Sequence, residues 1–112
     1  MTKDTDVQKA KAGEKNLLHA DLRGADLSKV DLSKAKLQKA HLQKINLQHA
    51  NLSRANLSEA KLTGVDLRWC DLRGTNFSNA DLHNAKLTSA KYNDQTEWPV
   101  GFDVASADAK KV

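Results

Sequence analysis

Leucine stands at every fifth position from Leu17 to Leu72, and the same slot then takes Phe77, Leu82, Leu87 and Tyr92. Two places earlier in each unit sits a small or apolar residue, as in Ala20, Ala25, Val30, Ala35, Ile45, Val65, Cys70 and Ala90. The remaining three positions are mostly polar or charged, Leu18 and Trp69 being exceptions. An α-helix turns about 100° per residue, so a step of five carries successive leucines about 140° round the axis and leaves no apolar face. A helix is excluded. A continuous strand alternates its faces every residue, so an odd step sends successive leucines to opposite sides of the sheet. A flat sheet is excluded too. The pattern predicts a chain that turns a corner once per five residues, with four units closing one coil and every leucine directed to a common axis. Coils stacked in this way form a solenoid in which each buries the face of the next, and no single coil is stable alone.

The A(D/N)LXX units, for example Ala20-Asp21-Leu22-Arg23-Gly24 and Ala25-Asp26-Leu27-Ser28-Lys29, resemble those of the pentapeptide-repeat family. The resemblance covers residues 15–94, which is sixteen pentapeptides or four coils. It implies an all-β fold, a right-handed quadrilateral parallel β-helix with terminal caps, in which the central residue and the one two before it point inward. Lys15 breaks that pattern at the first inward slot. A narrow tube has no room for two large side chains per corner, which accounts for the alanines.

Gly24, Gly64 and Gly74 close their pentapeptides at corners where a type II turn needs a positive φ; Asn79 and Asn84 suit the same place. Lys29, Lys34, Lys39, Lys44 and Trp69 suit it less well, so two kinds of corner are expected. The aspartates Asp21, Asp26, Asp31, Asp66 and Asp71 all precede the central leucine. Their recurrence reads as a short side chain bonding nearby backbone rather than as acid/base pairs.

Residues 1–14 and 95–112 lie outside the repeat. The first segment carries Thr5-Asp6-Val7-Gln8, which has capping-box spacing, and Gly13, which suits the end of a short helix. It reads either as a helical cap over the first coil or as a disordered polar tail. The second segment, Thr96-Glu97-Trp98-Pro99-Val100-Gly101-Phe102-Asp103, is similar to the segment that follows the repeats in many family members. Trp98 and Phe102 are expected to fold over the last coil, and Pro99 offers no donor to a further strand. A ligand-binding loop is the rival reading.

Composition then narrows the function. At 112 residues the chain is one domain, its mean hydropathy is −0.65, and no apolar run approaches the ~18 residues of a membrane span. No apolar leader segment opens the chain, so the cytoplasm is the default expectation, with a thylakoid lumen or periplasm the alternative where a leader has been removed. Cys70 is the one cysteine and occupies a small inward slot, so an inert core thiol is expected. His19, His41, His49 and His83 fall in separate coils without metal-ligand spacing. Neither a nucleophile with its base nor a Gly-rich phosphate loop is recognisable, so no catalytic residue, metal or cofactor is assigned.

Charge adds the remaining feature. The formal net charge is +4, and residues 35–54 supply it, with four basic residues and no acidic one. Lys36, Lys39, Lys44 and Arg54 form this belt, with His49 near. Residues twenty apart stack, so Lys29, His49 and Trp69 share one column, with Arg68 and Arg73 alongside. The belt and Trp69 read as an interaction patch or as a solvated face with an aromatic covering its neighbours' stems. The favoured function is a non-catalytic scaffold for protein–protein interaction, acting as a monomer or weak dimer. The alternative is binding to an acidic partner or a nucleic-acid-associated protein. Some relatives are DNA mimics directed at gyrase, a role that the pI near 9.3 and the short chain disfavour. Nucleic acid itself is a less favoured partner, and membrane insertion is not expected.

Overall fold

The computed structural model describes residues 3–112, so residues 1 and 2 of the first segment lie outside the described residues. Parallel bridges join residues twenty apart along the whole repeat, beginning Asn16↔Lys36, Asp21↔His41, Asp26↔Asn46 and Asp31↔Asn51 and continuing to Asp71↔Lys91. We number the four sides of the coil in that order. Four turns fall in each coil, one per pentapeptide, and the residues of one register form a column.

The five-residue unit follows from where its backbone N–H groups go. In Ala50–Arg54, Ala50 N–H closes the turn on Leu47 O at 2.9 Å, and Asn51 N–H reaches back one coil to Val30 O at 3.0 Å. Leu52 and Arg54 reach forward to Asp71 O and Arg73 O, both at 2.9 Å. Ser53 N–H, which has no backbone acceptor, donates to the Asn51 side-chain Oδ1 at 2.9 Å. All five donors are satisfied, and the recurrent Asp or Asn before the leucine is the acceptor for the one that would otherwise be orphaned. The same bond recurs from Ser28, Ser33, Arg68 and Ser78.

The corners from His19 to Ser89 are of one kind. Every fifth residue from His19 to Ser89 has a φ between 57° and 71°, the lysines and Trp69 included. The expectation of two corner types is therefore corrected. A left-handed conformation costs a non-glycine residue about 1–2 kcal/mol. From His19 to Trp69 that conformation aims each corner N–H at the next coil, as Lys44 N–H is at Thr63 O (2.9 Å), and a hydrogen bond contributes about 0.5–1.5 kcal/mol. Regular stacking outweighs local preference because a different turn would also break its neighbours' bonds.

Leu22, Leu42, Leu62 and Leu82 share a register and are buried, as are Leu27, Leu47, Leu67 and Leu87 in the next. The polar residues in the smaller inward slot are satisfied internally: Cys70 Sγ and Thr75 Oγ1 donate to Leu47 O and Leu52 O, each at 2.7 Å. Burial pushes the Cys70 thiol up to about 12, so it is neither a thiolate nor accessible at neutral pH. Lys15 turns outward, its Nζ donating to Asp31 O at 3.2 Å.

Residues Lys3–Lys11 form helix α1. Thr5 lies inside it rather than at its N-cap, so the capping box does not form. Gly13, with φ 83°, ends the helix: Gly13 N–H bonds Ala10 O and Glu14 N–H bonds Lys9 O, both at 3.0 Å. Ala10 is buried against the first coil, and Asp6, only 2% exposed, accepts Asp21 N–H on Oδ2 at 2.9 Å. In later coils that position is bonded to the carbonyl of a preceding coil, as His41 N–H is to Ala20 O. Asp6 thus stands in for a missing coil.

At the other end the register slips by one, with Glu97 pairing Asn76. Trp98 consequently stacks on Phe77 (centroids 5.1 Å apart, 9° between planes), and Phe102 stacks on Trp98 at 5.2 Å. Strands β1, Lys91–Tyr92, and β2, Lys110–Lys111, then pair in parallel on the fourth side.

Leu47→Ala, in mid-stack, should lower unfolding stability by about 2–5 kcal/mol in a urea titration; an unchanged midpoint would contradict the burial. Removing residues 95–112 should uncover Phe77 and the edge at Lys91–Tyr92. Light scattering is then expected to show association that grows with concentration.

Candidate interaction surface

Two outward positions of each pentapeptide, before and after the leucine, lie on one side of the coil, which sets up a short-range ion pair. Arg68 Nε and Nη2 donate to the two carboxylate oxygens of Asp66 at 2.9 and 2.8 Å. Arg73 holds Asp71 in the same way, and Arg23 holds Asp21. These hydrogen bonds keep all three carboxyls below the usual range, Asp21 at about 2. Gln48 Nε2 adds a further donor to Asp66 at 2.9 Å.

The third corner column carries Lys29, His49, Trp69 and Ser89. Adjacent coils are about 4.8 Å apart, and the His49 and Trp69 rings accordingly stack at 5.2 Å with 2° between their planes. Arg68 Cζ lies 5.8 Å from the centre of the Trp69 ring. Trp69 remains 46% exposed. A tryptophan stacked on a histidine and flanked by an ion-paired guanidinium makes an amphipathic surface feature.

The eight residues singled out from the sequence do not form one patch. His49, Arg68 and Trp69 come together at the third corner. Arg54, on the fourth corner column with Lys34 and Gly74, borders the same fourth side as Arg73. Lys39 and Lys44 occupy the first and second corner columns, and Lys36 lies on the first side. The belt distributes itself round the coil because successive pentapeptides place their last residue on successive corners.

A family model for pentapeptide repeats matches residues 3–38, 31–68 and 60–91. The chain belongs to the pentapeptide-repeat family. Among solved structures it is similar to a pentapeptide repeat protein from Nostoc PCC 7120, at 33% identity and a TM-score of 0.53, covering 99% of this chain and 96% of that one. It is also similar in fold to HetL of Nostoc sp. strain PCC 7120, a pentapeptide repeat protein involved in heterocyst differentiation regulation. That match has 21% identity and a TM-score of 0.62, and covers 85% of this chain and 54% of HetL. No curated protein matches. No helix among the described residues is long and apolar enough to cross a membrane.

The lowered carboxyls set the direction of the acid response of this pentapeptide-repeat protein. Free aspartate titrates near about 3.9, so the folded state binds these protons less readily than the unfolded one. Their stabilisation is present above about pH 4 and is lost as pH falls through the folded values, about 2 for Asp21. Melting temperature should be level from about pH 7 to 5 and drop below about 4. Asp66→Asn is expected to flatten part of that drop.

Proposed function

We propose that the protein is a non-catalytic scaffold that binds another protein through the third corner and the fourth side of its coil. The partner presents an acidic surface. The observation that carries this reading is Trp69, half-exposed while stacked on His49 with the Arg68 guanidinium beside it. A rigid aromatic loses little side-chain entropy on contact, which suits it to anchor an interface. Around it Lys29, Lys34, Arg54, Arg68 and Arg73 outnumber Asp31, Asp66 and Asp71, of which Asp66 is held by Arg68 and Asp71 by Arg73. The favoured winding is the right-handed, four-sided coil that the family resemblance implies.

The test is affinity capture from an extract of the source organism, with wild-type protein and with Arg68→Ala combined with Trp69→Ala. Both side chains point outward, so the pair should fold normally by circular dichroism. The wild type is expected to retain an acidic protein whose binding weakens as salt shortens the Debye length from about 10 Å at 0.1 M to 3 Å at 1 M. Equal recovery by both forms would reject the third corner as the contact.

A further inference from the structure

The fourth corner is built differently from the other three. Its column runs Lys34, Arg54, Gly74, and it then meets the extra residue that shifts Glu97 into register with Asn76. Gly74 leaves a notch: a Cβ there would meet Arg54 Cγ at 3.3 Å. Gly74 N–H, having no carbonyl of the next coil in line, donates to Asn93 Oδ1 at 3.0 Å and Thr96 Oγ1 at 3.2 Å. The widened turn opens a groove of about 510 Å³ between the serine-bearing wall of the fourth side and Gln95.

The groove presents donors. Asn51 Oδ1 is occupied by Ser53 N–H, and Asn93 Oδ1 by the N–H groups of Gly74 and Gln95 (3.0 and 3.1 Å). Those bonds fix which end of each amide is the oxygen, leaving its NH2 free. Among the described residues, neither Lys34 Nζ nor the Arg54 guanidinium has an ion-pair or hydrogen-bond partner. The nearby acids are already engaged: Asp71 with Arg73 at 2.7 Å, Asp94 with Lys111 at 2.7 Å, and Asp31 with Lys15 at 3.6 Å. Arg73 spends Nε and Nη2 on Asp71 and keeps Nη1.

From this arrangement we infer that the fourth-corner groove is a binding site for a phosphate monoester, held by Lys34, Arg54 and Arg73 with the amides of Asn51, Asn93 and Gln95. A dianionic oxyanion matches a groove lined by two unpaired cations and by amide donors, with its nearby carboxylates already paired. The groove shares Lys34, Arg54 and Arg73 with the basic surface proposed above, but phosphate binding needs neither Trp69 nor a protein partner, and the two readings are tested by different variants.

Amide NMR shifts followed during titration of the full chain with inorganic phosphate, against sodium chloride at matched ionic strength, test it. Saturable shifts are expected at Gly74, Asn93 and Gln95 with phosphate alone. Lys34→Gln combined with Arg54→Gln should weaken them by about tenfold or more, while Lys39→Gln combined with Lys44→Gln, on other corners, should leave them unchanged. AMP and an O-phosphoserine peptide then distinguish a small nucleotide from a phosphorylated protein as the source of the group, the tighter one naming it. Non-saturating shifts, shifts equal to those with chloride, equal loss in both double variants, or failure of both esters to compete with phosphate would each overturn the inference.

Discussion

A pentapeptide has five backbone N–H groups, and the structure is organised by the need to give each an acceptor. Three go to adjacent coils, one closes the turn, and, in the units that carry Asp or Asn before the leucine, the last goes to that side chain, as Ala50–Arg54 shows in full. The repeat cannot be shortened or lengthened without orphaning one of them. Where the chain does insert a residue, at the turn before Glu97, side chains take over: Asn93 and Thr96 accept the Gly74 N–H that the ladder drops.

The corner conformation has a functional consequence. Because all corner residues adopt positive φ and point outward, long side chains such as Lys34, Arg54 and Trp69 stand in columns with the spacing of the coils. Column neighbours either stack, as His49 and Trp69 do, or open a notch where one is glycine, as at Gly74. A regular interior therefore supports an irregular exterior, whose surface chemistry is set by which residues the columns bring together. The inward stacks constrain only the leucine slot and its small companion.

Both ends solve the problem of an unpaired edge with side chains. Asp6 supplies a carboxylate where a preceding coil would supply a carbonyl, and α1 lays Ala10 on the first layer. Trp98 and Phe102 continue the Phe77 stack, while β2 extends the fourth side by one rung. The Asp81 and Lys86 rungs carry no further coil among the described residues, so the tail covers the first and fourth sides more completely than the other two.

The period of the leucines alone determined the coil, because no helix or strand reconciles a step of five with a single apolar interior. The alanine slot, the bond made by the recurrent Asp and Asn, and the role of Trp98 and Phe102 were legible for the same reason: each is dictated by one pentapeptide or by its stacking on the next. What only the tertiary structure decided depends on several coils at once. Local propensity argued against Lys29 or Trp69 at a left-handed corner, yet the ladder imposes it, since a single different turn would cost its neighbours their bonds. Asp6 carries no local signal of its task, which exists only because α1 meets the first coil. The basic belt is continuous in sequence and divided in space, as one residue per corner must be. The groove at Gly74 arises from a glycine, an insertion twenty residues later and two cations from earlier coils, a coincidence that register alone brings about.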